Sequence, residues 1–231
     1  MIEVPGLHLE QALWAKGLKL IVGVDEAGRG AWAGPVMAGA VILPNDPHIQ
    51  LSLSGVRDSK QMTPRQREHW AVEIKAMALA WSIGAASAAE IDQIGILPAN
   101  RLAMQRAIEG LALTPEYYLF DFIHWKDCPY PGDKLVRGET QSLSIAAASV
   151  LAKTTRDALM RKMDEQFPGY EFSRHKGYGT AIHRVAIQKL GLASIHRKSF
   201  KISQNDQPDL QSKIQTDHTL NPGDVVIGSI W

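Results

Sequence analysis

The run Ile21-Val22-Gly23-Val24 leads directly into Asp25-Glu26, and Ala27-Gly28-Arg29-Gly30 follows. The β-branched run predicts a buried strand. Leu18 to Val24 is apolar on both faces, as a central strand covered on each side must be. Two adjacent carboxylates at the end of such a strand are costly unless something neutralises them. Clustered oxygen donors suit a hard divalent cation. The glycines flanking Arg29 would let backbone N–H groups approach an anion closely. The stretch therefore points to a strand that delivers a metal site beside a phosphate or sugar site. The same glycines invite a dinucleotide-binding reading, but that fingerprint needs a helix after them. Here Pro35 to Leu43 reads as a second strand, and the carboxylates would repel a pyrophosphate.

Upstream, Leu7 to Lys16 is predicted helical, with Leu9, Ala12 and Leu13 on one face and Gly17 as the stop. Thr63-Pro64 has the form of an N-cap and first helical residue, opening a helix to about Leu79. Ala80 to Ala86 is a third candidate strand. Ala89 to Ile94 and Pro98 to Leu111 follow as helices, the second with Leu102 and Ile108 as core contacts. Tyr117 to Phe122 is an aromatic strand with Asp121 near its end. Lys126 to Lys134 reads as a Pro/Gly-rich loop. A long helix runs from about Ser142 to Phe167. Its alanines and serines would let its first turns lie close to the sheet, and Leu151, Leu159, Met163 and Phe167 share a stripe. Arg174 to Thr180 is a glycine-bracketed loop, and a last helix spans Ala181 to Leu190. From Gln204 the composition shifts to Asn, Asp, Gln, Pro, Ser and Thr, which predicts a flexible tail. The expected organisation is a helical lead-in over 1–17, one α/β or α+β domain with a mixed sheet over 18–203, and the tail over 204–231.

A chain of 231 residues can bury a sizeable core. Its net charge of +1 names no partner, but the distribution of charge does. Lys153 to Lys201 holds eleven Lys/Arg against four Asp/Glu, with His175, His183 and His196 among them. That stretch is either a basic face for a polyanion or a solvated helix surface. Cys128 is the only cysteine, which excludes an internal disulfide and a cysteine-rich zinc site. No apolar run approaches the ~20 residues of a membrane span, and Met1 to Pro5 lacks a signal-peptide start. A soluble, cytoplasmic monomer with no membrane association is expected.

Asp121 could join Asp25 and Glu26 at the strand ends of one sheet, and Glu139 in the turn Arg137-Gly138-Glu139 is a fourth candidate. Neighbouring side chains on a regular strand point to opposite faces, so Asp25 and Glu26 share a site only if the strand ends there. Such a cluster repels itself without a cation. Mg2+ or Mn2+ would relieve it and could activate a water. Arg57, Lys60, Arg174, Lys176, Arg197 and Lys198 are candidates for phosphate contacts. Tyr178, between Gly177 and Gly179, could stack on a base or sugar, or cover the edge of the core.

Val24 to Gly30 with Ala33-Gly34-Pro35-Val36 resembles the signature of the type 2 ribonucleases H, specifically bacterial ribonuclease HII. Asp58-Ser59-Lys60 is similar to that family's second motif, and Ser142 to Lys153 with Thr155-Arg156-Asp157 to its third. Arg174 to Thr180 and His196 to Phe200 are similar to its last two, so the resemblance runs in order from about residue 18 to 200. It implies a ribonuclease H-like α/β fold, with a five-stranded mixed sheet flanked by helices and a C-terminal helical segment. It implies a metal-dependent endonuclease hydrolysing the RNA strand of RNA–DNA hybrids. Incision at ribonucleotides embedded in duplex DNA is implied too, leaving 3′-hydroxyl and 5′-phosphate ends. By resemblance, Asp25, Glu26 and Asp121 bind the divalent metal, Mn2+ or Mg2+, and complete a catalytic set with Glu139. Gly28, Arg29, Gly30, Lys60, Lys176 and Tyr178 would contact nucleic acid. The glycine-bracketed arginine would sit at the backbone and ribose 2′-hydroxyl, and Tyr178 at the RNA–DNA junction. Ribonuclease HIII, a sister enzyme, carries an extra N-terminal domain, for which too few residues precede Asp25.

Two positions depart from the pattern. Phe122 follows Asp121 where the family carries glycine, and Glu139 stands where it carries aspartate. These changes motivate an alternative, a catalytically weakened relative that binds hybrids without efficient cleavage. Asp133 or Asp157 could assist in place of Glu139, although Asp157 on the long helix reads as structural.

Overall fold

The computed structural model describes residues 4–46, 48–121 and 123–201. The expected tail over 204–231, the end of the main domain at 203 and Phe122 lie outside the described residues. The strands are β1 (Ile21–Ala27), β2 (Val36–Ile42), β3 (Ala80–Ala86), β4 (Tyr117–Asp121) and β5 (Gly132–Leu135). They form one mixed sheet in the order β3-β2-β1-β4-β5. β2 runs antiparallel to both β1 and β3, while β1, β4 and β5 are mutually parallel. The helices are α1 (His8–Trp14), α2 (Ile49–Ser52), α3 (Pro64–Met77), α4 (Ala88–Ile94), α5 (Ile96–Glu109), α6 (Leu143–Gln166), α7 (Phe172–His175) and α8 (Ala181–Leu190). The expected five-stranded mixed sheet with a C-terminal helical segment is therefore present.

The centre of the sheet is a sandwich between two helices. Val22 and Val24 of β1 share one core with Ala38, Ala40 and Ile42 of β2 and with Ala99, Ala103, Met104 and Ala107 of α5. On the opposite face α6 lies against β1 and β2, burying Ala146, Ala147, Ala148, Val150 and Leu151 with Val41. The close approach foreseen from the alanines needs a matching gap in the strand. A Cβ on Gly23 would stand 2.2 Å from the Ser144 carbonyl carbon and 2.3 Å from the Ile145 nitrogen. Helix and strand thus meet backbone to backbone.

The start of α6 is fixed from two sides. The Ser142 hydroxyl accepts from the Ile145 N–H at 3.1 Å, an N-cap of the kind worth about 1 kcal/mol. It also donates to Glu10 at 2.6 Å, and the same carboxylate oxygen accepts from the Ser144 N–H at 3.1 Å. A fully buried Glu10 is tolerated because it meets the positive end of α6. This corrects the expected face of α1. Leu7, Glu10 and Leu13 point inward and Ala12 is exposed. Thr63 with Gln66, and Ser87 with Glu90, form capping boxes that start α3 and α4.

β5 also corrects a loop expectation. Its residues Gly-Asp-Lys-Leu are nearly all exposed and show no alternation, so nothing local marks them as a strand. Pairing along β4 makes them one, with Tyr118 opposite Gly132 and Asp121 opposite Leu135. The C-terminal helices close on the far half of α6, where Met160, Phe172, Ala186 and Ile187 form a separate core. Among the described residues no helix is long and apolar enough to cross a membrane.

Candidate active site

The strand predicted to end at Val24 continues through Ala27, so Asp25 and Glu26 lie inside β1, opposite Gly39 and Ala38 of β2. They share a site for a different reason than a strand end. The pairing of β1 with β4 stops at Val24 opposite Phe120, so beyond it β1 has a neighbour only on the β2 side. A cleft of about 730 Å3 opens there, lined by both acids, Asp121, Glu139, Gly28, Arg29, Gly30, Lys60 and Tyr178. The two side chains straddle the strand. Asp25 faces Ser149 of α6 and Glu26 faces Asn100 of α5, and each polar neighbour favours the ionised carboxylate against burial.

Each acid is held by its own frame. Asp25 is buried, and one of its oxygens accepts from the Glu26 N–H at 2.7 Å. The Ser149 hydroxyl lies 2.8 Å from that of Ser59, which is how the Asp58-Ser59-Lys60 turn reaches the site. Asp121, at the end of β4, accepts from the Gly138 N–H at 2.8 Å. That bond ties β4 to the turn carrying Glu139, in which Arg137 adopts a left-handed conformation (φ 55). Glu26 pairs with Arg29 at 3.1 Å.

The electrostatics are those of an acid cluster short of positive charge. Burial, then Glu26 and Asp121, push the Asp25 carboxyl well above the usual aspartate range. Burial raises Glu26 as well, against the pull of Arg29 and Asn100. Burial and Asp121 raise Glu139. Burial alone would lower Lys60, but Asp58, Asp25, Glu139 and Asp121 hold its ammonium above the ordinary lysine value. Glu26 Oε2 and Glu139 Oε2 are buried without a hydrogen-bond partner among the described residues. Among those residues no three acidic, histidine or cysteine side chains already stand in a closed ligating group. The donor set nevertheless suits a hard divalent cation: carboxylate oxygens only, two of them orphaned, in a cluster that costs free energy as it stands.

Other sequence candidates separate clearly. Lys176 is half-buried, donates its ammonium to the Ser173 carbonyl and does not line the cleft. Asp133 lies on exposed β5, away from it. Asp157 accepts from Arg67 at 3.0 Å and from Lys153 at 2.8 Å, a buried structural network. Arg197, a candidate phosphate contact, is fully buried and spends its donors on backbone carbonyls, which overturns that expectation. Tyr178 borders the cleft half-buried, with Lys153 and Arg156 each 5.3 Å from its ring centroid. Pattern alone does not single out Asn100. Its signal is a polar residue within the buried stripe Ala99, Ala103, Met104, Ala107 of α5.

Three histidines brace the Tyr178 loop from below. Their partners assign the tautomers. His175 Nε2 donates to the Tyr170 carbonyl at 2.7 Å, and its Nδ1 accepts from the Gly177 N–H at 3.1 Å. His183 Nδ1 donates to the Tyr178 carbonyl at 3.0 Å, leaving its Nε2 to accept from His196 Nε2 at 3.0 Å. All three rings are neutral in this arrangement. Burial and the neighbouring His175 lower His183 to about 4. The unfolded chain takes up that proton near pH 6.5 and the native chain only near 4. Stability should therefore decline as pH falls from about 6.5 to 4, and thermal unfolding of His183→Asn should show a shallower slope across that window. Equal slopes would remove His183 from the account.

The architecture itself has known counterparts. The structure of ribonuclease HII from Archaeoglobus fulgidus, solved in a complex with PCNA, superposes with a TM-score of 0.67 at 22% identity, over 83% of this chain and 99% of that one. Ribonuclease H2 from Pyrococcus horikoshii gives a TM-score of 0.64 at 24% identity, over 79% of this chain and 94% of that one. The chain thus shares their ribonuclease H-like α/β fold. The sequence goes further. The ribonuclease HII family model matches residues 22–203. A ribonuclease HII from Synechococcus is 51% identical over 85% of this chain and 88% of its own length. The chain belongs to the ribonuclease HII family and is an enzyme, a ribonuclease.

Proposed function

We propose that the chain is a metal-dependent endonuclease that hydrolyses the RNA strand of RNA–DNA hybrids and incises at ribonucleotides embedded in duplex DNA, leaving 3′-hydroxyl and 5′-phosphate ends. It acts as a cytoplasmic monomer, with residues 18–203 as the catalytic unit, 1–17 as a lead-in and 204–231 as an appendage. The observation that carries this is the gathering of Asp25, Glu26, Asp121 and Glu139 in one cleft with Gly28, Arg29, Gly30 and Tyr178. Asp25, Glu26 and Asp121 would hold the cation, Mg2+ or Mn2+, which when bound supplies a Lewis acid for the phosphoryl oxygens and for the attacking water.

The protein's own groups do the rest. The Gly28-Arg29-Gly30 backbone binds the ribose and its phosphate, and the 2′-hydroxyl is the group that separates RNA from DNA. Tyr178, which lines the same cleft, offers a ring at the junction. Lys60 and Arg29 balance phosphate charge at the mouth. Lys176 would touch the nucleic acid only from outside the cleft. Glu139, with Oε2 uncommitted, can take a proton or hold a water. Glu139→Ala should lower turnover about a hundredfold or more, and Glu139→Asp should retain most of it. An undiminished Glu139→Ala would give the role to another acid.

The weakened-relative alternative finds no support at Glu139, which occupies the cleft as a buried carboxylate beside Asp121. A gel assay decides between cutting and mere binding. Duplex DNA with one ribonucleotide, and a uniform hybrid, are each incubated with Mg2+ and with Mn2+. Incision of both substrates is expected. Binding without any product in either metal would defeat the proposal.

A further inference from the structure

Two arginines stand under the cleft without touching it. Arg197 and Arg156 are both fully buried, at 0% exposure. Arg197 donates from Nε to the Gly34 carbonyl at 3.0 Å, from Nη1 to Arg29 at 2.8 Å and from Nη2 to Gly28 at 2.7 Å. Arg156 donates from Nε to Pro35 at 2.9 Å, from Nη2 to Ala33 at 3.0 Å and from Nη1 to Lys176 at 2.9 Å. A buried guanidinium is costly unless its donors are used, and here they are used on one short segment and on the loop beside it.

We propose that Arg156 and Arg197 are positioning residues for ribose selectivity, locking segment 28–35 and the Tyr178 loop into one rigid unit. The idea rests on the reading of Gly28-Arg29-Gly30 and Tyr178 as the ribose and junction contacts. Its geometry is specific. The peptide bonds of the described residues are trans, so a carbonyl turned inward turns the next N–H outward. With the Gly28 and Arg29 carbonyls on Arg197, the N–H groups of Arg29 and Gly30 point away from it, side by side. Arg156 does the same for the seam. It holds Ala33 and Pro35 on one side and Lys176 on the other, and the Gly177 carbonyl accepts from the Trp32 N–H at 2.8 Å across the same seam. Gly28 records how tight the fit is. Its φ is +90°, and a Cβ there would stand 2.0 Å from Arg156 Nε. The carbonyls these arginines hold cannot be satisfied in the same pattern by lysine, which offers a single nitrogen in place of a planar fork.

The test is a ratio. Affinities of full-length protein for a DNA duplex carrying one ribonucleotide, and for the same duplex in all-DNA form, are measured by fluorescence anisotropy in EDTA. Arg197→Lys and Arg156→Lys, checked for folding by circular dichroism, should each reduce the preference for the ribonucleotide duplex about tenfold or more. A purely structural role would lower the melting temperature and leave the ratio unchanged, which overturns the inference. Tyr178→Ala serves as the reference. If it too leaves the ratio unchanged, the ribose reading of this site fails rather than the positioning claim alone. If neither lysine variant folds, hydrogen exchange of the wild type decides. Residues 28–35 and 176–179 should open together, and opening rates differing by more than about tenfold between the segments would contradict a single unit.

Discussion

Asp25→Asn should abolish cleavage, by about a thousandfold or more, while raising the melting temperature of the metal-free protein. The two effects have one cause. Asp25 is buried beside Glu26 and Asp121, and its carboxyl is pushed well above the ordinary range by burial first and by those neighbours second. A carboxylate whose folded pKa exceeds its unfolded value subtracts stability at every pH above the unfolded value, since the native state resists giving up the proton. Asparagine keeps the shape and removes the charge, so the metal-free fold gains. The same change removes an oxygen donor from the cation and unbalances the charge on which transition-state stabilisation depends. Single-turnover cleavage and thermal unfolding in EDTA check both halves. An active Asp25→Asn, or one that is less stable, would contradict the assignment.

Gly23→Ala should be strongly damaging for a single added methyl. The added Cβ would overlap the backbone of Ser144 and Ile145, at 2.2 and 2.3 Å, and neither is a flexible side-chain end that can rotate away. Helix α6 would have to lift from β1. Overpacking of this kind costs about 1–3 kcal/mol and more where backbone must move. The loss reaches the site, because Ser149 on α6 faces Asp25, and Ser142 and Glu10 fix where α6 begins. Urea unfolding of Gly23→Ala should therefore show a loss at the upper end of that range or beyond, with reduced turnover in the folded fraction. A neutral Gly23→Ala would show that the helix can retreat freely.

These two residues also show what a linear reading can and cannot reach. Asp25 and Glu26 stand out because paired charge after a β-branched run needs explaining, and the ends of β3 and α8 follow directly from pattern and caps. Asp121 stands out for the same reason, as a charge on an aromatic strand. What convergence requires is harder to see. The two neighbouring acids share a cleft through the early end of β1–β4 pairing, a property of register between strands far apart in sequence. β5 exists only through its neighbour. Arg197 and Asn100 illustrate the main source of error, since charge and polarity say nothing of exposure. One is a buried strut read as a surface contact, and the other a buried partner of Glu26 hidden in an apolar helix face. Glu10 belongs with them. Its burial is licensed by the first turn of a helix more than a hundred residues away.

That the acids lining the cleft where β1 parts from β4 are a cation site held under electrostatic tension is tested most directly by melting temperature against Mn2+ concentration. A ligand that binds only the native state stabilises it in proportion to the logarithm of its concentration above Kd. The wild type should start low in EDTA and climb steadily with Mn2+, whereas Asp25→Asn should start higher and remain nearly flat. Parallel rises in the two proteins would place the cation elsewhere and contradict the account.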